Sequence, residues 1–159
     1  MVGYTTGSGA AVAVTERTFS CPPAQLFAVL IEPRTYPRWL VGAKKIRVVS
    51  PSWPNAESYF EHVVGFGPLS IVDRTTSKSF DDGRQLELFV RARPLLEAHV
   101  VFEIEPSSEG TQLRMTETPS GLYKLLSPLA RPLVAARNQR SLERLAMVVE
   151  TTVNAERAS

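Results

Sequence analysis

The spacing of the apolar residues changes once along the chain, and that change restricts the folds open to it. From Lys45 to Arg93 apolar and polar residues mostly alternate, in segments cut by Ser52-Trp53-Pro54-Asn55, Gly65-Phe66-Gly67-Pro68 and Asp81-Asp82-Gly83. Further turn signals follow at Arg93-Pro94-Leu95 and Ser107-Ser108-Glu109-Gly110. Period-two segments separated by turn residues predict an antiparallel meander, here of about six strands. Beyond it Leu142, Leu145, Ala146, Val149 and Val153 follow the i, i+3, i+4, i+7, i+11 rhythm of an amphipathic helix, after a stretch punctuated by Pro128 and Pro132.

Upstream, Val12 and Val14 alternate with Ala13 and Thr15 and lead into Thr18 and Phe19, a first strand. Ser20-Cys21-Pro22-Pro23 then opens a helix carrying Leu26, Phe27, Leu30 and Ile31, which Pro33 ends. A second short helix is expected through Tyr36 to Leu40, closed by Gly42. The layout is α+β: a curved antiparallel sheet of six to seven strands wrapped around a long C-terminal helix. Residues 1–10 are read as a flexible tail and 11–157 as a single domain, a size at which one core suffices.

Several function classes fall away on residue counts. A net charge of +2 is too weak a field to suggest a nucleic-acid partner. One cysteine, Cys21, and two histidines, His62 and His99, supply neither a disulfide nor a Cys/His zinc site. The chain carries no phosphate-binding glycine loop and no Gly-x-Ser-x-Gly elbow, so no metal and no cofactor is expected. No apolar run suits a membrane helix, and the protein is read as soluble and cytoplasmic, a monomer or homodimer.

Turn chemistry proposes a register. Closing Gly65 to Pro68 sets Val64 opposite Leu69 and Phe60 opposite Asp73, with His62 diagonal to Asp73. A two-residue Asp82-Gly83 turn sets Asp81 against Arg84 and Thr75 against Val90. A three-residue turn over Arg93 to Leu95 sets Ala92 against Leu96, and a four-residue loop before Gly110 sets Val100 against Met115 and Ala98 against Glu117. All four turns assign one inner face: Phe60, His62, Val64, Leu69, Ile71, Asp73, Thr75, Leu86, Leu88, Val90, Ala98, Val100, Phe102, Ile104, Leu113, Met115 and Glu117. Polar His62, Asp73, Thr75 and Glu117 interrupt an apolar surface, and a buried carboxylate requires a partner, water or a raised pKa. On the helix, the stripe stepped back from Leu142 reaches Asn138. Trp39, Trp53 and Tyr123 lie in segments placed to cover the mouth of a pocket.

The stretch Cys21-Pro22-Pro23-Ala24-Gln25-Leu26-Phe27-Ala28-Val29-Leu30, with Tyr36-Pro37-Arg38-Trp39, Gly110-Thr111, Met115, Glu117 and Ser141-Leu142-Glu143-Arg144-Leu145, resembles the START/Bet v 1-like (SRPBCC) superfamily, in its polyketide cyclase/dehydrase branch. The likeness spans about Val12 to Val153 and implies the helix-grip fold. With it comes a choice of functions. The first is a module that binds a hydrophobic small molecule, a lipid, polyketide or aromatic metabolite, through Trp39, Phe60, His62, Asp73, Thr75, Leu88, Val90, Val100, Phe102, Met115, Glu117, Asn138 and Leu142. The second is a cofactor-independent cyclase/dehydratase in which His62, oriented by Asp73, is the base for aldol closure and dehydration. A third is a protein-interaction domain whose groove takes a partner segment. Each polar residue also has a plainer reading, His62 as a structural histidine and Asp73 as half of a salt bridge.

Overall fold

The computed structural model describes residues 2–3, 6–7, 10–65, 67–94 and 96–158, the side chains of 2–11, 123, 126–128 and 156–158 excepted. Seven strands form the main sheet: β1 (Ala13–Phe19), β2 (Ala43–Val49), β3 (Tyr59–Val64), β4 (Ile71–Asp81), β5 (Gln85–Ala92), β6 (Leu96–Ser107) and β7 (Gly110–Pro119). Three helices join them: α1 (Pro23–Ile31), α2 (Tyr36–Trp39) and α3 (Gly121–Ala158). The strand order is β1-β7-β6-β5-β4-β3-β2, antiparallel throughout, so the meander β2 to β7 is closed by the first strand returning beside the last. Val2–Gly3 pairs with Val14–Thr15 on the outer side of β1, and Thr6–Gly7 pairs with Ala10–Ala11, within the stretch read as a tail.

The assigned inner face agrees with burial at nearly every position. Phe60, His62, Asp73, Thr75, Leu86, Leu88, Ala98, Val100, Phe102, Ile104, Leu113, Met115 and Glu117 are all buried, and Val64, Ile71 and Val90 partly so. Leu69 is the exception, 77% exposed in a β3–β4 connection longer than expected. That connection moves the β3–β4 register by two, to Val64–Ile71, His62–Asp73 and Phe60–Thr75. The β6–β7 register also moves by two, to Phe102–Met115 and Val100–Glu117, because Ser108-Glu109 turns more tightly than a four-residue loop. Even shifts preserve which side chains face inward.

At β4–β5 the turn sets Asp81 against Gln85 rather than Arg84, and an irregularity between Ser77 and Ser79 offsets the extra residue, restoring Thr75–Val90. The Arg93–Leu95 turn pairs Ala92 with Leu96 as expected. Gly110 sits at φ +130, where an added Cβ would collide with the Phe19 carbonyl, so the β7 start can lie against the end of β1 only with glycine there.

Pro23 in the first turn suits the start of α1, and the residue before Pro33 is extended, which stops it. Leu26, Phe27, Val29 and Leu30 face the core. The last helix differs most from expectation, since α3 runs 38 residues and incorporates both Pro128 and Pro132. Pro132 is exposed, where solvent can take over the hydrogen bond lost to the ring. Leu142, Leu145, Val148, Val149 and Val153 bury one face of its second half against the sheet. Ser141 ties α3 to the α2–β2 link, its Oγ accepting from the Val41 N–H at 3.1 Å and donating to the Arg137 carbonyl at 2.9 Å.

Candidate functional site

The polar residues on the inner face fall into two groups separated by β5 and β6. The first is on β3 and β4. His62 is 4% exposed, with Nδ1 3.2 Å from Thr75 Oγ1 and Nε2 3.2 Å from the Arg91 carbonyl. A carbonyl only accepts, so Nε2 carries the proton and Nδ1 accepts from the Thr75 hydroxyl. Both nitrogens of the neutral ring are thereby engaged, and neither goes to Asp73, although the two residues are directly opposed across the ladder. Burial lowers the His62 pKa, against opposing effects of the Arg91 carbonyl and the Asp73 charge.

Asp73 instead organises the β5–β6 turn. Its Oδ2 accepts from the Arg93 backbone N–H at 2.9 Å and from Arg93 Nε at 3.1 Å, and its Oδ1 accepts from the Arg74 N–H at 2.8 Å. Burial alone would raise its pKa, but the Arg93 guanidinium and the two N–H groups together bring it below the usual carboxylate range. Arg93 itself is 60% exposed, so this pair sits at the rim of the sheet.

These shifts set the acid limb of stability. A histidine kept neutral by burial contributes most above its ordinary value of 6.5, and that contribution falls away as the pH drops below it. The lowered Asp73 pKa stabilises the fold above its ordinary value of 3.8 and loses that effect at still lower pH. Thermal unfolding measured from pH 8 to pH 3 should therefore decline in two stages, and His62→Gln should flatten the first. A variant that keeps the full slope between pH 6.5 and pH 5 would assign that stage to other groups.

The second group is on β1, β7 and α3. Glu117 is 1% exposed, and its Oε2 accepts from Arg137 Nη2 and, at 3.1 Å, from Asn138 Nδ2. Arg137 also donates from Nη2 to Asn138 Oδ1 at 2.8 Å, so the three side chains close on one another. The other carboxylate oxygen, Oε1, is buried without a hydrogen-bond partner, as is the Thr15 hydroxyl. Thr15 pairs with Met115 and Ala13 with Glu117, which places Thr15 diagonal to Glu117 on the same face. A buried polar atom left unpaired costs about 1–3 kcal/mol, so each of these two oxygens is suited to a polar group from elsewhere.

Around this group the interior differs from end to end. Trp39 is fully buried, its ring 4.7 Å from Tyr36 and 6.2 Å from Phe102, with Nε1–H donating to Thr35 Oγ1 at 3.1 Å. Phe60, Leu88, Phe102, Met115 and Leu142 share that closed core, and Val100 is 6% exposed beside it. Trp53 is partly buried, tied by Nε1–H to the Ile31 carbonyl at 2.6 Å, and the side chain of Tyr123 lies outside the described residues. At the other end Val64, Ile71, Val90 and Leu96 remain partly exposed, as do Ala130 and Val134 of α3. A polar recess of about 310 Å³ lined by Glu16, Arg17, Thr18, Gln112 and Gln139 lies on the β1 side and contains none of these apolar residues.

Sequence reasoning missed Thr15, Arg93 and Arg137. Thr15 was masked by its neighbours, since Val12 and Val14 suggest the opposite inward parity, whereas Ala13, Thr15 and Phe19 are the residues the fold buries. Arg137 had no readable signal, because a charged neighbour of Asn138 on a helix reads as solvent-facing.

A family profile described as "Polyketide cyclase / dehydrase and lipid transport" matches residues 10–150. The chain belongs to this family. Among solved structures, this member is similar to a Rhodobacter sphaeroides protein at TM-score 0.74 and 17% identity, covering 95% of this chain and 99% of that one. It is similar to Ara h 8.0201 at TM-score 0.70 and 13% identity, over 90% of this chain and 99% of that one. The di-domain ARO/CYC StfQ of the steffimycin biosynthetic pathway matches at TM-score 0.70 and 14% identity, over 90% of this chain and 51% of that one. At these identities the shared property is the helix-grip fold of the Bet v 1-like group. No curated protein matches the chain. Among the described residues no helix is long and apolar enough to cross a membrane, and no group of three His, Cys, Asp or Glu is placed to hold a metal ion.

Proposed function

We propose that this polyketide cyclase/dehydrase family member binds a hydrophobic small molecule between the sheet and α3. In this reading the apolar body of the ligand enters beside Val64, Ile71, Val90 and Leu96, under Ala130 and Val134. Its polar end reaches Glu117 Oε1 and Thr15 Oγ1. The observation that carries the reading is that these two buried oxygens on the inner face have no hydrogen-bond partner. Glu117 Oε1 accepts only, so the matching ligand group is a donor such as a hydroxyl, and apolar burial at roughly 25 cal/mol per Å² supplies most of the affinity.

Binding is favoured over turnover by the state of His62. A general base needs a lone pair directed at substrate, and the Nδ1 lone pair of His62 is taken by Thr75 while Nε2 holds its proton on Arg91. The cyclase reading and the partner-groove reading have no comparable observation in their favour.

Native mass spectrometry of the purified protein, before and after incubation with a panel of lipids and aromatic polyketides, tests the proposal. The expected result is a one-to-one adduct that solvent extraction releases, with Glu117→Gln shifting ligand preference by a few-fold rather than abolishing binding. A mass that stays that of the bare chain across the whole panel would overturn it.

A further inference from the structure

A cation on β1 has no counter-charge. Arg17 is partly buried and has the inward parity of Thr15 and Phe19. Its Nε is buried with no hydrogen-bond partner, and among the described residues its side chain enters no hydrogen bond or ion pair. A guanidinium partly withdrawn from water loses solvation that only an anion or acceptor can replace. The same side chain lines the recess of about 310 Å³ together with Glu16, Thr18, Gln112 and Gln139. That volume lies at the lower end of the roughly 300–1,000 Å³ usual for small-molecule sites. Val2–Gly3 covers the outer edge of β1 only at Val14–Thr15, so among the described residues no strand lies alongside Glu16 to Thr18.

The other lining groups indicate what fits there. Every lining side chain is polar, so the recess does not suit the apolar body of the ligand proposed for the inner face. Glu16 is already neutralised, its Oε1 accepting from Arg114 Nε at 2.9 Å, which leaves the Arg17 charge unmatched. Gln112 Oε1 accepts from the Thr18 hydroxyl at 3.0 Å, and the Gln112 amide nitrogen has no side-chain partner among the described residues. Gln139 Nε2 donates to Glu143 Oε1 at 3.4 Å, which leaves the Gln139 amide oxygen as an acceptor. One unmatched positive charge suits a monoanion, whereas a doubly charged phosphate would carry excess charge toward the Glu16 and Glu143 carboxylates. The planar fork of an arginine matches a carboxylate, and an amide donor and acceptor beside it match hydroxyl groups on the same molecule.

We propose that this recess binds a small hydroxylated monocarboxylate, its carboxylate on the Arg17 guanidinium and its hydroxyls on the amides of Gln112 and Gln139. The site is separate from that of the hydrophobic ligand, since Val64, Ile71, Val90 and Leu96 have no part in its lining. The inference does not require that a hydrophobic ligand be bound.

The test is titration of the full chain, labelled with the heavy nitrogen isotope, with gluconate, acetate and inorganic phosphate at low salt. Nitrogen–proton correlation spectra report the Arg17 Nε–H and the side-chain amides of Gln112 and Gln139. Gluconate is expected to shift all three signals along one saturable curve, acetate to move Arg17 more weakly, and phosphate to bind less well than gluconate. Arg17→Met should lower gluconate affinity about tenfold or more, read from the Gln112 amide, with unchanged circular dichroism. Should that variant fold poorly, Gln139→Ala gives a second reading and is expected to weaken gluconate a few-fold while leaving acetate unchanged. No saturable shift with any of the three anions, or equal gluconate affinity in wild type and a folded Arg17→Met, would overturn the proposal. Tighter binding of phosphate than of gluconate would overturn the assignment to a monocarboxylate. Adduct formation in the mass measurement is independent of these outcomes, so the two proposals fail separately.

Discussion

Replacing Arg137 with Met is expected to lower folding stability by about 3 kcal/mol, the lower end of the range for removing one member of a buried ion pair. Arg137 is 20% exposed and Glu117 2% at the side chain, so the arginine loses little solvation on being removed while the carboxylate is left among apolar neighbours. Asn138 alone would remain as donor to Glu117. For a chain this size the loss corresponds to a fall of roughly 6–12 °C in the thermal midpoint. Adding Glu117→Gln to the Arg137→Met background should recover more than half of it, because an amide does not need a counter-charge. Purely additive losses in this double-mutant cycle would show that the pair is not coupled and that Arg137 acts through packing alone.

The second large effect concerns Trp39. Truncation to Ala should cost about 3–5 kcal/mol, as expected for a fully buried aromatic, and the loss should be the same with or without ligand. Trp39→Phe should retain much of the stability through the contacts with Tyr36 and Phe102, forfeiting the bond to Thr35, and should leave ligand affinity unchanged. Were Trp39 a wall of the binding site, as its segment suggests in the sequence, the pattern would reverse: a thermal midpoint within a degree or two of wild type and a collapse in affinity.

Trp39 illustrates what was and was not legible. Its place in a short helix followed from the prolines around it, but which surface that helix covers depends on α3 folding over it. Side-chain facing along the strands was readable because parity survives an even slip. The β3–β4 and β6–β7 turns each moved pairings by two residues, yet His62, Asp73 and Glu117 still point inward. At β4–β5 a turn one residue longer was offset by the irregularity near Lys78, an accident no turn rule contains. Pairing between particular polar groups was not readable. It required knowing that the Asp73 carboxylate would be taken by Arg93 from the adjacent turn, which left His62 to Thr75 and Arg91. The first half of α3 was hidden by Pro128 and Pro132, which ordinarily argue against a helix interior.

The return of β1 to lie beside β7 has a consequence for how the chain is made. Neighbouring strands from β2 to β7 pair across short turns and can form as they are synthesised, whereas Thr111 bonds to the carbonyl of Cys21, 90 residues earlier. Until β7 has left the ribosome, β1 and the helix after it have no sheet to join, and β6 presents an unpaired edge. Loop closure over that distance is slow. The newborn chain therefore spends its longest wait with its first strand unpartnered, and that interval is when it most needs protection from other chains.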